Sequence, residues 1–283
     1  MASIRRRASV LLAFATLLGC SRAPSTVPRA ILPAAALGPI HMLASPVATG
    51  GGEPRLSRDA GGSLLLSWLE PSDDPGAYAL KYARLVGDDW TSASVAAEGR
   101  DWVVSAADLP SVQALSERLW VADWRTTSPL SGEAYDVRVA VSADAGNTWS
   151  PPLLLNDDAT ASEHGFVSWY REGDGAGVVW LDGRDEAIDS PEAASGEPAG
   201  TSLRYATLTA SGRVIEQGVV DSLVCDCCRT DVASTRAGAA VVYRDRSAQE
   251  IRDIAVRVHT PSGWSDPARL GPDHWQIAGC PIN

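Results

Sequence analysis

Four times along this chain an apolar run ends in an aromatic residue and gives way to a polar turn and an alternating strand. The runs are Leu64-Leu65-Leu66-Ser67-Trp68, Trp120-Val121-Ala122-Asp123-Trp124, Val178-Val179-Trp180 and Val241-Val242-Tyr243. The strands that follow cover 80–85, 137–141, 203–208 and 254–258, and a turn with Trp90, Trp149, Val214 or Trp264 comes next. The aromatics at 68, 124, 180 and 243 are spaced by 56, 56 and 63 residues. A Ser/Glu/Ala/Pro/Gly insertion at 187–200 accounts for the longer third unit. Period-2 strands recurring in units of four predict a β-propeller. Bulky residues on both faces of the second strand fit a sheet buried between two neighbours. A two-sheet sandwich is the competing all-β architecture, but it does not explain a repeated four-strand order.

The N-terminus predicts export. Arg5, Arg6 and Arg7 precede a short apolar core, Ala8 to Leu18, and Leu17-Leu18-Gly19-Cys20 reads as a lipobox. The core is shorter than the ~20 residues a membrane span needs and has the flanks of a cleaved signal. Residues 1–19 are therefore expected to be a bacterial lipoprotein signal peptide, with Cys20 the acyl acceptor. The expected location is lipid-anchored, at the outer membrane or facing the periplasm, and the anchor is the only expected membrane contact. Residues 20–52 read as an Ala/Pro/Gly-rich tether, about 30 Å long as a flexible coil. Residues 53–283 read as the propeller. Cleavage would move the formal charge from -11 to -14 by removing three arginines. Such an acidic protein is a poor nucleic-acid ligand.

One turn is specific. Ser142-Ala143-Asp144-Ala145-Gly146-Asn147-Thr148-Trp149 matches S-x-D-x-G-x-T-W, the Asp-box of the bacterial neuraminidase repeat. Ser142, Asp144, Gly146, Thr148 and Trp149 are assigned a structural role: Asp144 accepts backbone N–H groups and Gly146 supplies positive φ. Degenerate copies stand at 86–90 and 260–264. On these motifs the chain resembles the sialidase-like, six-bladed propeller family over roughly 53–283. It is most similar to a group of bacterial secreted proteins loosely called exo-alpha-sialidases. That closer resemblance rests on Glu163-His164-Gly165-Phe166-Val167-Ser168, Val179 to Arg184, Val224-Cys225-Asp226-Cys227-Cys228, Val242 to Ser247 and Gly279-Cys280-Pro281. It implies fold, export and a nominal glycoside hydrolase activity. Against the family pattern, Glu53-Pro54-Arg55-Leu56 stands where an Arg-Ile-Pro opening is usual. The sequence supplies four units, with His274–Asn283 read as the first strand of a fifth. The expectation is an incomplete six-bladed ring, C-terminally truncated, lacking about two units and without useful sialoside turnover.

In a propeller, the turn after the second strand and the entry to the first share one face. Arg125, Asp182, Arg184, Asp185, Arg244, Asp245 and Arg246 are therefore ligand-binding candidates around one mouth. Arginines there suit an acidic glycan, because guanidinium pairs bidentately with carboxylate. A protein ligand is the alternative occupant. The competing reading makes the same residues inter-blade ion pairs. No catalytic residue is assigned. His164, Cys225, Cys227, Cys228 and Cys280 fall at first-strand entries, since His164 and Cys227 each lie sixteen residues before their blade's aromatic. Outside the cytoplasm these cysteines read as disulfides. A copper or zinc site, a redox site and free thiols are the alternatives.

Overall fold

Alternating apolar segments become strands because every second side chain can reach a core on either face. The computed structural model describes residues 40–186, 200–271, 273–277 and 279. The first sheet contains β1 (Gly52–Arg58), β2 (Leu64–Pro71), β3 (Tyr78–Val86) and β4 (Asp89–Trp90), with β5 (Ser94–Gly99) also on β3. The second contains β6 (Ser111–Ala114), β7 (Trp120–Thr127), β8 (Tyr135–Ser142) and β9 (Leu153–Leu154). The third contains β10 (His164–Glu172), β11 (Gly175–Asp182), β12 (Ser202–Leu208) and β13 (Val214–Asp221). The fourth contains β14 (Asp231–Thr235), β15 (Gly238–Arg244), β16 (Ile254–Thr260) and β17 (Gly263–Trp264), with β18 (Ala268–Arg269) also on β16. The strand pairings are antiparallel and, apart from β5 and β18, follow chain order. Among the described residues the one helical element is a 3-10 turn, Arg184–Glu186.

Each sheet is one blade, and the cores lie between blades. Leu65, Leu69, Leu80 and Tyr82 of the first blade pack with Val112, Trp120, Ala122 and Trp124 of the second. Val121, Val137 and Val139 face the other way, onto Val167, Trp169, Val178 and Trp180 of the third blade. Val179, Leu181 and Leu203 then meet Val224, Val241 and Tyr243 of the fourth. Neighbouring residues of β7 and β11 thus serve opposite cores. This is the period-2 rule acting on a sheet covered on both faces. Trp68, Trp124, Trp180 and Tyr243 are all buried on second strands, opposite Lys81, Arg138, Arg204 and Ala255.

Three boundaries differ from the sequence expectation. The backbone of Ala48 hydrogen-bonds the Glu70 carboxylate and its carbonyl accepts from Gly51 (3.1 Å), so the last residues of the expected tether meet the end of β2. The fourth strand of the first and last blades is split in two. In the segment read as a fifth blade, Gln276 makes an isolated bridge to Ile251, and the described residues there form no strand. Cys20, Cys280, the signal segment and most of the 187–200 insertion lie outside the described residues.

The Ser142–Trp149 turn joins two blades. Asp144 Oδ1 accepts from Ser142 Oγ (2.8 Å) and Thr148 N (2.9 Å), and Oδ2 accepts from Thr148 Oγ1 (2.8 Å). Ala145 and Gly146 both take positive φ (62° and 84°). That conformation aims the Gly146 carbonyl back at the first blade, where Tyr82 Oη donates to it (2.7 Å). The Tyr82 ring meets Trp149 and Trp120 edge-on. We expect Tyr82→Phe to cost about 1 kcal/mol, the worth of one buried hydrogen bond. It should appear as a lower urea midpoint with an unchanged m-value. An unchanged midpoint would remove this turn from the inter-blade contact.

Candidate functional site

The first-strand entries of all four blades converge. Arg55 on β1, Asp108 before β6, Phe166 on β10 and Arg229 with Thr230 before β14 bound one small pocket of about 20 Å³. That pocket marks the throat of the propeller. Around it the second-strand ends deliver Arg125 from β7 and Arg244 from β15.

Asp108 is the anchor of the throat. It is buried, and its Oδ2 accepts from Arg125 Nε (3.0 Å) and Phe166 N (2.8 Å). Arg125 Nη2 also donates to the Asp108 carbonyl (3.0 Å). The strand β10 is bulged between Gly165 and Ser168, with Phe166 at φ 54°, which turns its N–H onto Asp108. Gly165 makes the approach feasible: a Cβ there would stand 2.1 Å from Asp108 Oδ2. Burial raises the Asp108 carboxyl above the ordinary range against the pull of Arg125. Arg125 lies over the Tyr135 ring (4.8 Å), and Tyr135 Oη donates to Glu163 Oε2 (2.6 Å). Burial, then Glu163, raise the Tyr135 hydroxyl.

The other predicted charges are largely absorbed in ion pairs. Arg184 grips Asp182 with two nitrogens (2.7 and 2.9 Å), and Trp180 Nε1 donates to the same carboxylate (2.7 Å). Arg184 also lies 3.6 Å from Asp158 and 3.5 Å from Asp157. Asp185 faces Arg204 (3.9 Å), Asp245 faces Arg269 (3.6 Å), and Arg246 binds Glu250 (2.8 Å). Arg125, Arg184 and Arg246 therefore carry partners that a ligand carboxylate would have to displace. Arg244 donates to the Arg252 carbonyl (2.8 Å) and covers the Trp275 ring (4.8 Å), and among the described residues it makes no ion pair within 4.0 Å.

Among the described residues, His164 and the cysteines at 225, 227 and 228 fall in two separate clusters, and Cys280 lies outside the described residues. His164 pairs across the sheet with Asp182, and the matching bridge in the next blade joins Asp245 to Val224. Val224 thus occupies the place assigned by counting to Cys227. The cause is the short strand β14, which begins only at Asp231 and leaves Cys225–Thr230 as a loop. Buried His164 instead meets Asp158 (3.3 Å) and Asp182 (3.6 Å) through Nε2 and the Tyr135 carbonyl (3.0 Å) through Nδ1. Burial opposes its protonation, but Asp158 and Asp182 outweigh that and raise its pKa. These three residues could present ligand atoms to a cation. The Arg184 guanidinium already fills that role against Asp182. The sulfurs of Cys225, Cys227 and Cys228 form a separate cluster, with a Cys225–Cys228 disulfide (Cα–Cα 5.6 Å).

A cavity of about 1020 Å³ opens beside the throat. It is lined by Arg55 and Ser57 of β1, Gln113 of β6, the Cys227–Asp231 segment, and Tyr243 and Arg244 of β15. Three arginines face it, and Asp231 is the single carboxylate among its lining residues. Among the described residues Arg55 makes no ion pair within 4.0 Å. Sequence reasoning missed Arg55, Asp108, Tyr135, Glu163 and Arg229 as site residues. Arg229 carried a usable signal, since it stands at a first-strand entry, whereas Arg55 lies within the first strand.

No family model and no curated protein matches this chain. Among solved structures it is similar to an alpha-L-arabinanase of Penicillium chrysogenum complexed with arabinobiose. The identity is 12% and the TM-score 0.47, over 77% of this chain and 64% of that one. It is similar also to a neuraminidase-like protein from A/bat/Guatemala/164/2009, with 8% identity and a TM-score of 0.48 over 80% and 60%. A thermostable family-43 glycoside hydrolase gives 10% and 0.46 over 82% and 76%. The chain thus spans less than two thirds of the length of the first two. These likenesses concern the course of the chain, and the propeller assignment stands on the strand order given above.

A second buried carboxyl beside the throat makes stability pH-dependent. Asp123 Oδ1 accepts from Ser111 Oγ and from Trp169 Nε1 (2.8 Å) of the next blade. Burial, against the pull of Arg55, pushes its pKa up to about 6. Between the ordinary value near 4 and about 6, the folded state keeps a proton that the unfolded state releases. This group's contribution is therefore full at low pH and lost as pH rises through that window. Asp123→Asn keeps the accepting oxygen and cannot ionise. Its stability relative to the parent should rise by about 2–3 kcal/mol between pH 4 and pH 7. Urea midpoints at the two pH values test this, and equal differences at both would refute it.

Proposed function

We propose that the protein is an extracytoplasmic, lipid-anchored propeller that binds a carboxylate-bearing glycan in the cavity lined by Arg55, Arg229 and Arg244. The supporting observation is the charge of that cavity: three guanidinium groups and one carboxylate in a protein of net charge -11. A cationic hollow in an acidic surface selects anions from solution. Guanidinium adds bidentate geometry that suits a sugar carboxylate. Arg55 and Arg229 come from blades one and four, so a ligand would bridge the two ends of the four-blade row. The N-terminal reading of Cys20 supports the anchor.

Binding without hydrolysis is the expected activity. Glycoside hydrolysis uses two carboxyl groups flanking the scissile bond in most families, and acid–base groups must reach the reacting atoms. Asp231 alone meets a ligand in the large cavity. Asp108 and Asp123, whose burial suits them to hold a proton, line a pocket of only about 10 Å³. Asp108 is also committed to Arg125 and to Phe166 N.

Isothermal titration with sialic acid and glucuronate oligosaccharides tests the assignment. We expect Arg55→Ala and Arg229→Ala each to weaken binding by about tenfold, the loss of one charged hydrogen bond. Neutral oligosaccharides should bind poorly, and affinity should fall with ionic strength. Equal affinity for neutral and acidic sugars, or indifference to both substitutions, would overturn the reading. Sialoside turnover that disappears on Tyr135→Phe would replace it with hydrolysis at the Tyr135–Glu163 pair.

A further inference from the structure

The cysteine loop meets the cavity, and the binding proposal leaves it unused. Cys225 and Cys228 stand in Cys-x-x-Cys spacing and are joined by a disulfide. Their two sulfurs have different surroundings. Cys225 is buried, and its N–H donates to the Arg244 carbonyl (3.0 Å). Cys228 is half-buried and lines the cavity beside Arg229. Arg252, itself buried, places Nη1 3.6 Å from Cys225 Sγ. The charged groups around that sulfur are Arg252, Asp226 (3.9 Å from Cys225 Sγ) and Glu250, which Arg252 and Arg246 share. Arg229 and Arg244 stand on the cavity side. With Asp231 also on the cavity side, four guanidinium groups face three carboxylates, an excess of one positive charge around the disulfide.

We infer that Cys225–Cys228 is an exchangeable disulfide that oxidises a dithiol entering the cavity. The asymmetry assigns the roles. A thiolate of the dithiol attacks Cys228 Sγ, the sulfur exposed to the cavity. The Cys225–Cys228 bond breaks, and its electron pair leaves on Cys225 as a thiolate beside Arg252. The second thiol of the dithiol, deprotonated in turn, attacks the mixed disulfide and releases Cys228. The dithiol loses two electrons and two protons and becomes a disulfide. The protein gains the two electrons as two reduced sulfurs; one proton ends on Cys228, and the other passes to solvent while Cys225 stays a thiolate beside Arg252. A cation next to a thiol lowers its pKa and makes it the better leaving group. Arg252 therefore acts as a positioning residue, favouring reduction of the bond by stabilising Cys225 once reduced.

The test uses the full chain purified in detergent. Mass spectrometry of non-reduced peptides should find the Cys225–Cys228 bond; its absence would overturn the inference. Equilibration with reduced and oxidised dithiothreitol, followed by alkylation, reads the reduced fraction of that pair. We expect reduction with the near-UV circular dichroism of the folded protein retained. Arg252→Gln should shift the equilibrium constant at least fivefold toward the disulfide, and Arg252→Lys should restore most of the shift. Arg252→Gln should also raise the Cys225 pKa followed by thiolate absorbance. A second pair of variants does not depend on how Arg252→Gln folds. In a Cys227→Ala background, the Cys228 thiol left by Cys225→Ala should take up oxidised glutathione at least tenfold faster than the Cys225 thiol left by Cys228→Ala. A bond that opens only on unfolding, an Arg252→Gln constant within twofold of the parent, or equal thiol rates would each defeat the proposal.

Discussion

Every junction between blades carries a polar bond buried within an apolar contact, and the arrangement of the throat depends on those bonds. Between blades one and two, Val112 N donates to Ser67 Oγ (3.2 Å). Between two and three, Trp169 Nε1 donates to Asp123. Between three and four, Ser168 Oγ donates to the Thr230 carbonyl (2.9 Å). Apolar faces alone would let one sheet slide against the next, since hydrophobic burial is non-directional. A buried donor or acceptor has one place to go, and leaving it unmade costs about 1–3 kcal/mol. Each bond has one end on the first strand of the next blade or at its entry (Val112, Trp169 and Thr230), so together they fix where the first strands sit around the throat. Asp108 extends the same logic, joining the second blade to the bulge of β10 through Phe166 N.

The allocation of charge separates structural arginines from those open to a ligand. Arg125, Arg184 and Arg246 end second strands or the turns after them, where carboxylates from loops and neighbouring strands converge. Their partners lie within about 3 Å, in partly buried surroundings where Coulomb attraction is less screened. Arg55 comes from a first strand and Arg229 from a first-strand entry instead. Arg55 acts at longer range on Asp108 and Asp123, and Arg229 donates to the Ala106 carbonyl (3.5 Å) and acts at longer range on Asp108. The same face of the propeller thus holds ion pairs that brace it and guanidinium groups that leave a positive cavity.

The blade pattern was legible in the sequence because it rests on local rules. Alternation of Val137, Val139 and Val141, and the second-strand aromatics, follow from the two-residue period of a strand and burial on both faces. The Ser142–Trp149 turn was legible for the same reason, since its Asp144 bonds are confined to residues four apart or fewer. Counting back from those aromatics placed His164 correctly at the start of its inner strand. It misplaced Cys227, because β14 starts late and a loop stands where the third blade has strand. Such a change in strand length leaves no mark in the periodicity.

By itself, then, the sequence determined an all-β chain of four repeated units, the aromatics each unit would bury, the structural turn and the clustering of three cysteines. Only the tertiary structure decided which arginines are bound by carboxylates, because Asp108, Asp157 and Asp158 reach them from loops without a repeat. It also decided that His164 joins aspartates while Cys227 and Cys228 face the cavity with Arg229. These outcomes depend on contacts between residues far apart in the chain, such as Asp108 with Phe166 and Cys225 with Arg252. Strand periodicity fixes which face a residue takes, and the junctions between blades fix which partner it finds there.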